Sequence, residues 1–264
     1  LVSFRYTNEY RAAHPAIDDR DYVNVIAQEF AEVQFDAQRE IEYFPGPGVK
    51  RGYLGWSFTH APTGRRIHLY GTHFTSFPEL FQERDVQART LGGAAKDHPD
   101  DDIVLIGGDF NAGAYYPEDR FGLDGDEVIT GWWHNTMMYP LILHYGGGVD
   151  THSLLEPAHD VERMHQLLLP FDGDAYLKQP LAGRCADIPT DTFTGTDCNS
   201  IYDEQYAATE FPARLDYIFL RDVGKHVRVT ESALVYTAPF DFGGAGKFEL
   251  SDHYGMSAIL QIER

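Results

Sequence analysis

Little in this sequence is basic, thiol-bearing or continuously apolar. Lys and Arg total 21 against 41 Asp and Glu, a formal net charge of −20 with His counted neutral. Such a surface repels phosphate backbones at long range, which disfavours a general nucleic-acid binder while leaving room for a local basic pocket. The same acidity suits a secreted or a salt-adapted protein. No stretch approaches the roughly 20 apolar residues of a membrane-spanning helix, which excludes one. The two cysteines, Cys185 and Cys198, have no His spacing around them that would close a tetrahedral zinc site. A disulfide and two free thiols are the alternatives. The disulfide is favoured, because few hydrophobic residues would otherwise order that Gly/Asp/Thr-rich loop. The stretch Leu1 to Tyr10 lacks the basic-then-apolar order of a signal peptide, and no initiator Met precedes it. We therefore expect a mature, processed or truncated product.

What is present is an ordinary globular mixture. The 264 residues are 43% hydrophobic and 23% charged, ample for one core, and we expect a single domain over 1–264 with an atypical part at 1–47. Tyr53 to Phe58 and Arg66 to Tyr70 alternate in polarity around a turn at Ala61 to Gly64, which predicts a hairpin. Glu79 to Lys96 has helix formers, with Leu80, Phe81, Val86 and Leu91 near helical spacing. Ile103 to Ile106 is a continuous apolar run after an acidic turn, hence a buried strand. Further strands are expected at Leu215 to Leu220, Val227 to Tyr236 and Tyr254 to Ile262. Phe30 to Phe44 shows no hairpin signal, and 112–210 reads as irregular. Strands predominate, which predicts an α+β domain of packed sheets.

Three polar clusters stand at the ends of apolar strands: Gly71 to His73, Gly107 to Asn111, and Leu250 to His253. Strand ends hold side chains rigidly while the turn exposes them, as a catalytic site requires. A fourth segment, Arg214 to Phe219, sets Asp216 among hydrophobic neighbours. There a carboxylate is costly unless it is hydrogen-bonded, and a histidine to orient would satisfy it. Each cluster alone also reads as a capped turn or a loop. Their joint order is harder to explain that way.

Taken together, Thr72-His73, Gly107-Gly108-Asp109-Phe110-Asn111, Arg214-Leu215-Asp216-Tyr217 and Ser251-Asp252-His253 resemble the endonuclease/exonuclease/phosphatase superfamily, over about residues 48–262. Shorter segments are similar to its bacterial neutral sphingomyelinase branch: Lys50 to Tyr53, Arg84 to Gln87, Thr196 to Ile201 and Ser251 to Tyr254. The resemblance implies a four-layer α/β/β/α sandwich of two mixed sheets. It also implies a divalent-metal-dependent phosphodiesterase, with Mg²⁺ as the expected cofactor. His253 would be the general base for water attack and Asp216 its orienting partner. Asp109 would position the water or the leaving group, while Asn111 and His73 would donate to the phosphoryl oxygens. Asp252 and Asp109 would be metal ligands.

In that family the principal metal ligand is a strand-end Glu far upstream of the Thr-His motif. Here the candidate is Glu29, 73 − 29 = 44 positions before His73. Either Glu29 serves in a shortened domain, or the usual N-terminal strands are missing and Glu29 is a surface residue; the second reading is favoured. The implied substrate is a phosphodiester, first a phospholipid head group, with peripheral membrane contact through Trp132 and Trp133 as the partner reading. Packing of those tryptophans inside the fold is the favoured alternative. A nuclease of the same fold ranks second, an inositol-phosphate phosphatase third, and a non-catalytic relative is the remaining alternative. We further expect a secreted monomer, and His152 on the substrate rim.

Overall fold

The computed structural model describes residues 33–44, 51–76, 80–112, 138–146, 148–155, 199, 214–221 and 225–263. A mixed sheet of six strands forms its centre: β1 (Val33–Tyr43), β2 (Gly52–His60), β3 (Arg65–His73), β4 (Ile103–Asp109), β5 (Val149–Asp150) and β6 (Asp216–Arg221). Their order across the sheet is β1-β2-β3-β4-β6-β5. The β3/β4 pair is parallel and the others are antiparallel. A parallel pair needs a crossover, and α1 (Phe81–Lys96) supplies it. Helix α2 (Met138–Gly146) packs on α1 over the same face. Gly92 permits that approach, because a Cβ there would stand 2.7 Å from the Tyr145 side chain.

Two cores divide the molecule into layers. Tyr70, Val104, Ile106 and Phe219 pack with Ala88, Leu91 and Ile142 between the central sheet and the helices. On the other face Ile67, Ile103 and Leu220 meet Val227 and Val229 of β7 (Val227–Val235), which pairs antiparallel with β10 (Gly255–Ile262). Strand β4 lies between both cores, which explains why its sequence is apolar without alternation. Helix, sheet and sheet thus make three of the expected sandwich layers among the described residues. A hairpin of β8 (Phe240–Asp241) and β9 (Lys247–Phe248) follows β7 and leads toward β10. None of the described helices is long and apolar enough to cross a membrane.

Two expectations change. The stretch expected to lack hairpin signals forms β1 instead and pairs with β2, with an irregularity between Phe35 and Arg39. Among the described residues it stands at the edge of the sheet, and its sequence includes Asp36, Arg39, Glu40 and Glu42, charges that erase the alternation that marks a strand. Helix α1 buries Arg84, Gln87, Ala88, Leu91 and Ala95, while Val86 is 43% exposed. Of the apolar residues expected at helical spacing, Leu91 is therefore buried and Val86 is not. Arg84 Nη1 donates to the Thr75 carbonyl at 3.1 Å, and Gln87 exchanges bonds with the Thr75 N–H (3.0 Å) and Oγ1 (2.8 Å). These partners let two polar side chains sit inside.

Candidate active site

Sheet register alone brings three of the candidate residues into a row. His73 ends β3 opposite Asp109 at the end of β4, and Asp109 is paired with Asp216 at the start of β6. Neighbouring strands stand about 4.8 Å apart, so the three side chains are within one residue's reach of each other. The ladder stays tight up to this edge because of Gly108. Its φ is +150°, and a Cβ there would meet the Thr72 carbonyl oxygen at 2.0 Å. Hydrogen bonds from Phe74 N to Asp109 O and from Phe110 N to Leu215 O, both 2.9 Å, extend the pairing past the strand ends.

Asn111 turns the chain away with φ +47°, a left-handed conformation that Asn adopts more readily than most residues. In that turn its N–H reaches Asp109 Oδ1 at 2.8 Å. Its Nδ2 donates to the Phe74 carbonyl at 2.9 Å and to Asp109 Oδ2 at 3.3 Å. Both amide hydrogens thus have acceptors within the protein, and Asn111 braces Asp109 in this arrangement.

His253 arrives from the second sheet, on the loop just before β10. Its Nδ1 lies 2.9 Å from Asp216 Oδ2 and 3.9 Å from Asp109 Oδ2. On the other side His73 Nε2 is 3.3 Å from Asp109 Oδ2. The expected convergence on one rim therefore holds geometrically for His73, Asp109, Asn111, Asp216 and His253. Asp252 adjoins this group, and its carboxylate accepts the Ser251 hydroxyl at 3.0 Å. The 251–253 loop is pinned from behind by Asn199, which is wholly buried and donates Nδ2 to the Ser251 carbonyl at 2.8 Å. In the sequence Asn199 belongs to a stretch that stands out only by its branch resemblance, with no role attached. Glu29, Trp132, Trp133, Cys185 and Cys198 lie outside the described residues. His152, expected at the rim, is 2% exposed inside the fold, with Nδ1 3.2 Å from Ser232 Oγ.

The charges of the row are set by each other. Burial opposes a proton on His253, but Asp216 and Asp109 outweigh it, and with Asp252 they raise its pKa to about 10. His73 goes the other way, to about 4: burial lowers it, Asp109 resists, and the nearby Arg51 and His253 lower it further. Burial pushes the Asp109 carboxyl up; His73 and His253 pull it back, and Asp216 adds to the rise. Asp109, Asp216 and His253 present ligand atoms within 4.8 Å of one another, a group that could hold a metal ion. The donor chemistry fits a hard divalent cation, since two carboxylates offer oxygens and no thiol is present. His253 Nδ1 is committed to Asp216, so the carboxylate oxygens are the available ligands.

No protein-family model matches the chain, and no curated protein matches it either. Solved structures do. D. rerio TDP2 complexed with a single-strand DNA product superposes over 88% of this chain and 69% of its own, with a TM-score of 0.55 and 20% identity. The Bacteroides thetaiotaomicron mannosyl-6-phosphatase covers 88% of this chain and 68% of its own, at 0.50 and 14%. An endonuclease/exonuclease/phosphatase family protein of the same bacterium covers 87% and 66%, also at 0.50 and 14%. With its layers and these likenesses, the chain has the fold of these solved structures, a deoxyribonuclease-I-like fold.

Proposed function

We propose that the chain is a divalent-cation-dependent phosphodiesterase acting on a phospholipid head group. The observation that carries the hydrolytic part is the 2.9 Å His253–Asp216 contact beside Asp109. A carboxylate only accepts, so His253 Nδ1 carries the hydrogen it shares with Asp216, and Nε2 is left as the proton acceptor for water. Asp109, held by Asn111, orients that water for in-line attack at phosphorus. His73 is neutral at working pH, and it and Asn111 exchange their Asp109 contacts for phosphoryl oxygens as negative charge builds there. Arg51, close enough to depress the His73 imidazole, adds a positive field to the same place.

Asp109 and Asp216, with Asp252 and Glu29 as the expected outer ligands, would hold Mg²⁺. Mg²⁺ would supply charge neutralisation and polarisation of the phosphoryl oxygen. A cation held by Asp109 and Asp216 would offset the carboxylate charges that raise the His253 pKa, which would leave Nε2 able to accept a proton nearer neutrality.

The lipid part rests on the β8–β9 hairpin. Phe240, Phe242 and Phe248 are 53%, 49% and 53% exposed, with Tyr236 and Leu250 exposed beside them. Phe240 and Phe242 stand edge to face at 5.1 Å. An apolar surface of this kind, ending three residues before His253, suits a lipid interface better than water. The net charge of −20 argues for a zwitterionic surface and against a polyanion. The test measures head-group release from sphingomyelin and phosphatidylcholine vesicles beside plasmid nicking, each with Mg²⁺ and with chelator. Release of phosphocholine that stops on chelation supports the reading. Nicking without lipid cleavage replaces it with the nuclease alternative, and inactivity on every phosphodiester leaves the non-catalytic one.

A further inference from the structure

Asp216 starts β6, and His253 lies just before β10 of the second sheet. Among the described residues no strand ladder joins the two sheets, so beside their shared apolar core something must span the gap at the 2.9 Å contact. The five-residue helix α3 (Thr151–Leu155) does so. On one side Thr151 Oγ1 donates to the Ile218 carbonyl of β6 at 2.9 Å. On the other, His152 Nδ1 is 3.2 Å from Ser232 Oγ of β7, and Ser232 pairs with Ala258 of β10. Between these contacts lies a wholly buried ion pair of Arg214 and Asp150. Asp150 also accepts the His152 N–H at 3.1 Å and the Ser153 hydroxyl at 2.9 Å. Arg214 lies over the Tyr217 ring at 4.7 Å, and its carbonyl accepts the Tyr217 hydroxyl at 2.7 Å. The backbone carrying Asp216 is therefore gripped by the residue two before it and the residue after it.

We propose that the Arg214–Asp150 pair is a positioning device, which sets the distance between Asp216 and His253 and so the alignment of the proton acceptor. This rests on the phosphodiesterase reading of the site. A buried ion pair adds little net stability compared with apolar residues of the same volume, because both ions lose their water. Two charges kept wholly buried behind a rim point to a geometric role. The pair holds the backbone on either side of Asp216 through the Arg214 carbonyl and the Tyr217 ring, so it acts through Asp216.

The experiment compares three proteins: the unchanged chain, Arg214→Met with Asp150→Asn together, and His253→Ala. The amide oxygen of the Asp150→Asn change keeps an acceptor for His152 and Ser153. Single changes would strand one buried charge and unfold the chain, whereas the double change removes both charges and leaves the packing. Two readouts are taken with Mg²⁺ present: turnover of bis(p-nitrophenyl) phosphate, and the low-field NMR proton of His253 Nδ1–H bonded to Asp216. For the double variant we expect a melting temperature near that of the unchanged protein. We also expect loss of the low-field proton, and a kcat lowered about 100-fold with KM within about twofold, as a misplacement of about 1 Å produces. A folded double variant that keeps the low-field proton, or keeps kcat, overturns the positioning role. If the unchanged chain turns over no phosphodiester, the enzymatic reading fails by itself, and the low-field proton alone still decides whether the pair sets the contact.

Discussion

The molecule holds two histidine–aspartate contacts at opposite ends of its central sheet, and the two behave in opposite ways. One lies where the loop before β10 meets the start of β6, the other between β3 and the residue before β4. At the rim, His253 meets Asp216 at 2.9 Å; at the far end, His68 Nε2 meets Asp102 at the same 2.9 Å. Burial lowers both imidazoles. His253 faces Asp216, Asp109 and Asp252, and its pKa rises to about 10. His68 faces one carboxylate together with Arg66 and Arg221, and burial prevails, so its pKa falls. His98 stacks on it with ring centroids 3.5 Å apart and is itself lowered to about 4, by burial and by the charges of His68 and Arg221. Ser57 Oγ at 2.6 Å from His68 Nδ1 completes a serine–histidine–aspartate row, yet the imidazole is capped by His98 and only 6% exposed. Equal distances and equal residue types therefore do not make equal sites. The charges around the pair, and access to it, decide which imidazole can do chemistry.

The sharpest contrast is in turnover. Replacing His253 with Ala should lower phosphodiester turnover by about 10²–10⁴-fold, while His68→Ala should leave it within about twofold. Stability should not separate the two: His68→Ala leaves Ser57 and Asp102 short of a partner, His253→Ala does the same to Asp216, and each costs about 1–3 kcal/mol. Urea unfolding of both variants beside the kinetics checks this, and equal loss of turnover in the two would erase the distinction.

A smaller effect should appear with pH. His98 and His73, both near 4 in the fold, stay neutral where the unfolded chain already takes up protons, from about 6.5 downward. The unfolded state then binds more protons, so stability falls as pH drops from about 6.5 to 4. Melting temperatures across that window should decline, and His98→Phe, which keeps a ring stacked on His68, should flatten the decline. An unchanged slope would place the acid sensitivity elsewhere. The smallest effect concerns the field at the far end. Arg221 binds the carbonyls of Ala95, His98 and Pro99 at 3.0–3.3 Å and lowers both far-end histidines. Arg221→Met should move the His68 titration upward in an NMR pH series, and a downward movement would contradict the charge argument.

Much of this was readable in advance where local chemistry is strong. Strands β2, β3, β4, β6, β7 and β10 fall within a few residues of their expected limits, because each is an alternating or continuous apolar run bounded by turn residues. The polar clusters at their ends were legible for the same reason. Strand β1 was not, since a strand laced with charge carries no clean period. Helix α2 begins inside the aromatic stretch Gly131 to Pro140 and was hidden by it. His152 shows the limit for single residues: a histidine in a polar loop pattern looks exposed until its Ser232 partner from another sheet is seen.

By itself the sequence determined which residues end strands, because polarity alternation and glycine are properties of neighbours along the chain. It also determined that His73, Asp109 and Asp216 are available at those ends. Whether they meet depends on register across β3, β4 and β6, a contact between segments up to 143 positions apart (216 − 73). Only the tertiary structure decided that His253 would cross from the second sheet to Asp216, and that Asn111 would spend its amide on Asp109. It alone decided, too, which of two equal histidine–aspartate pairs would be charged. Proton affinity is the sum of burial and of every charge within a few ångströms, and that sum exists only once distant segments have packed together.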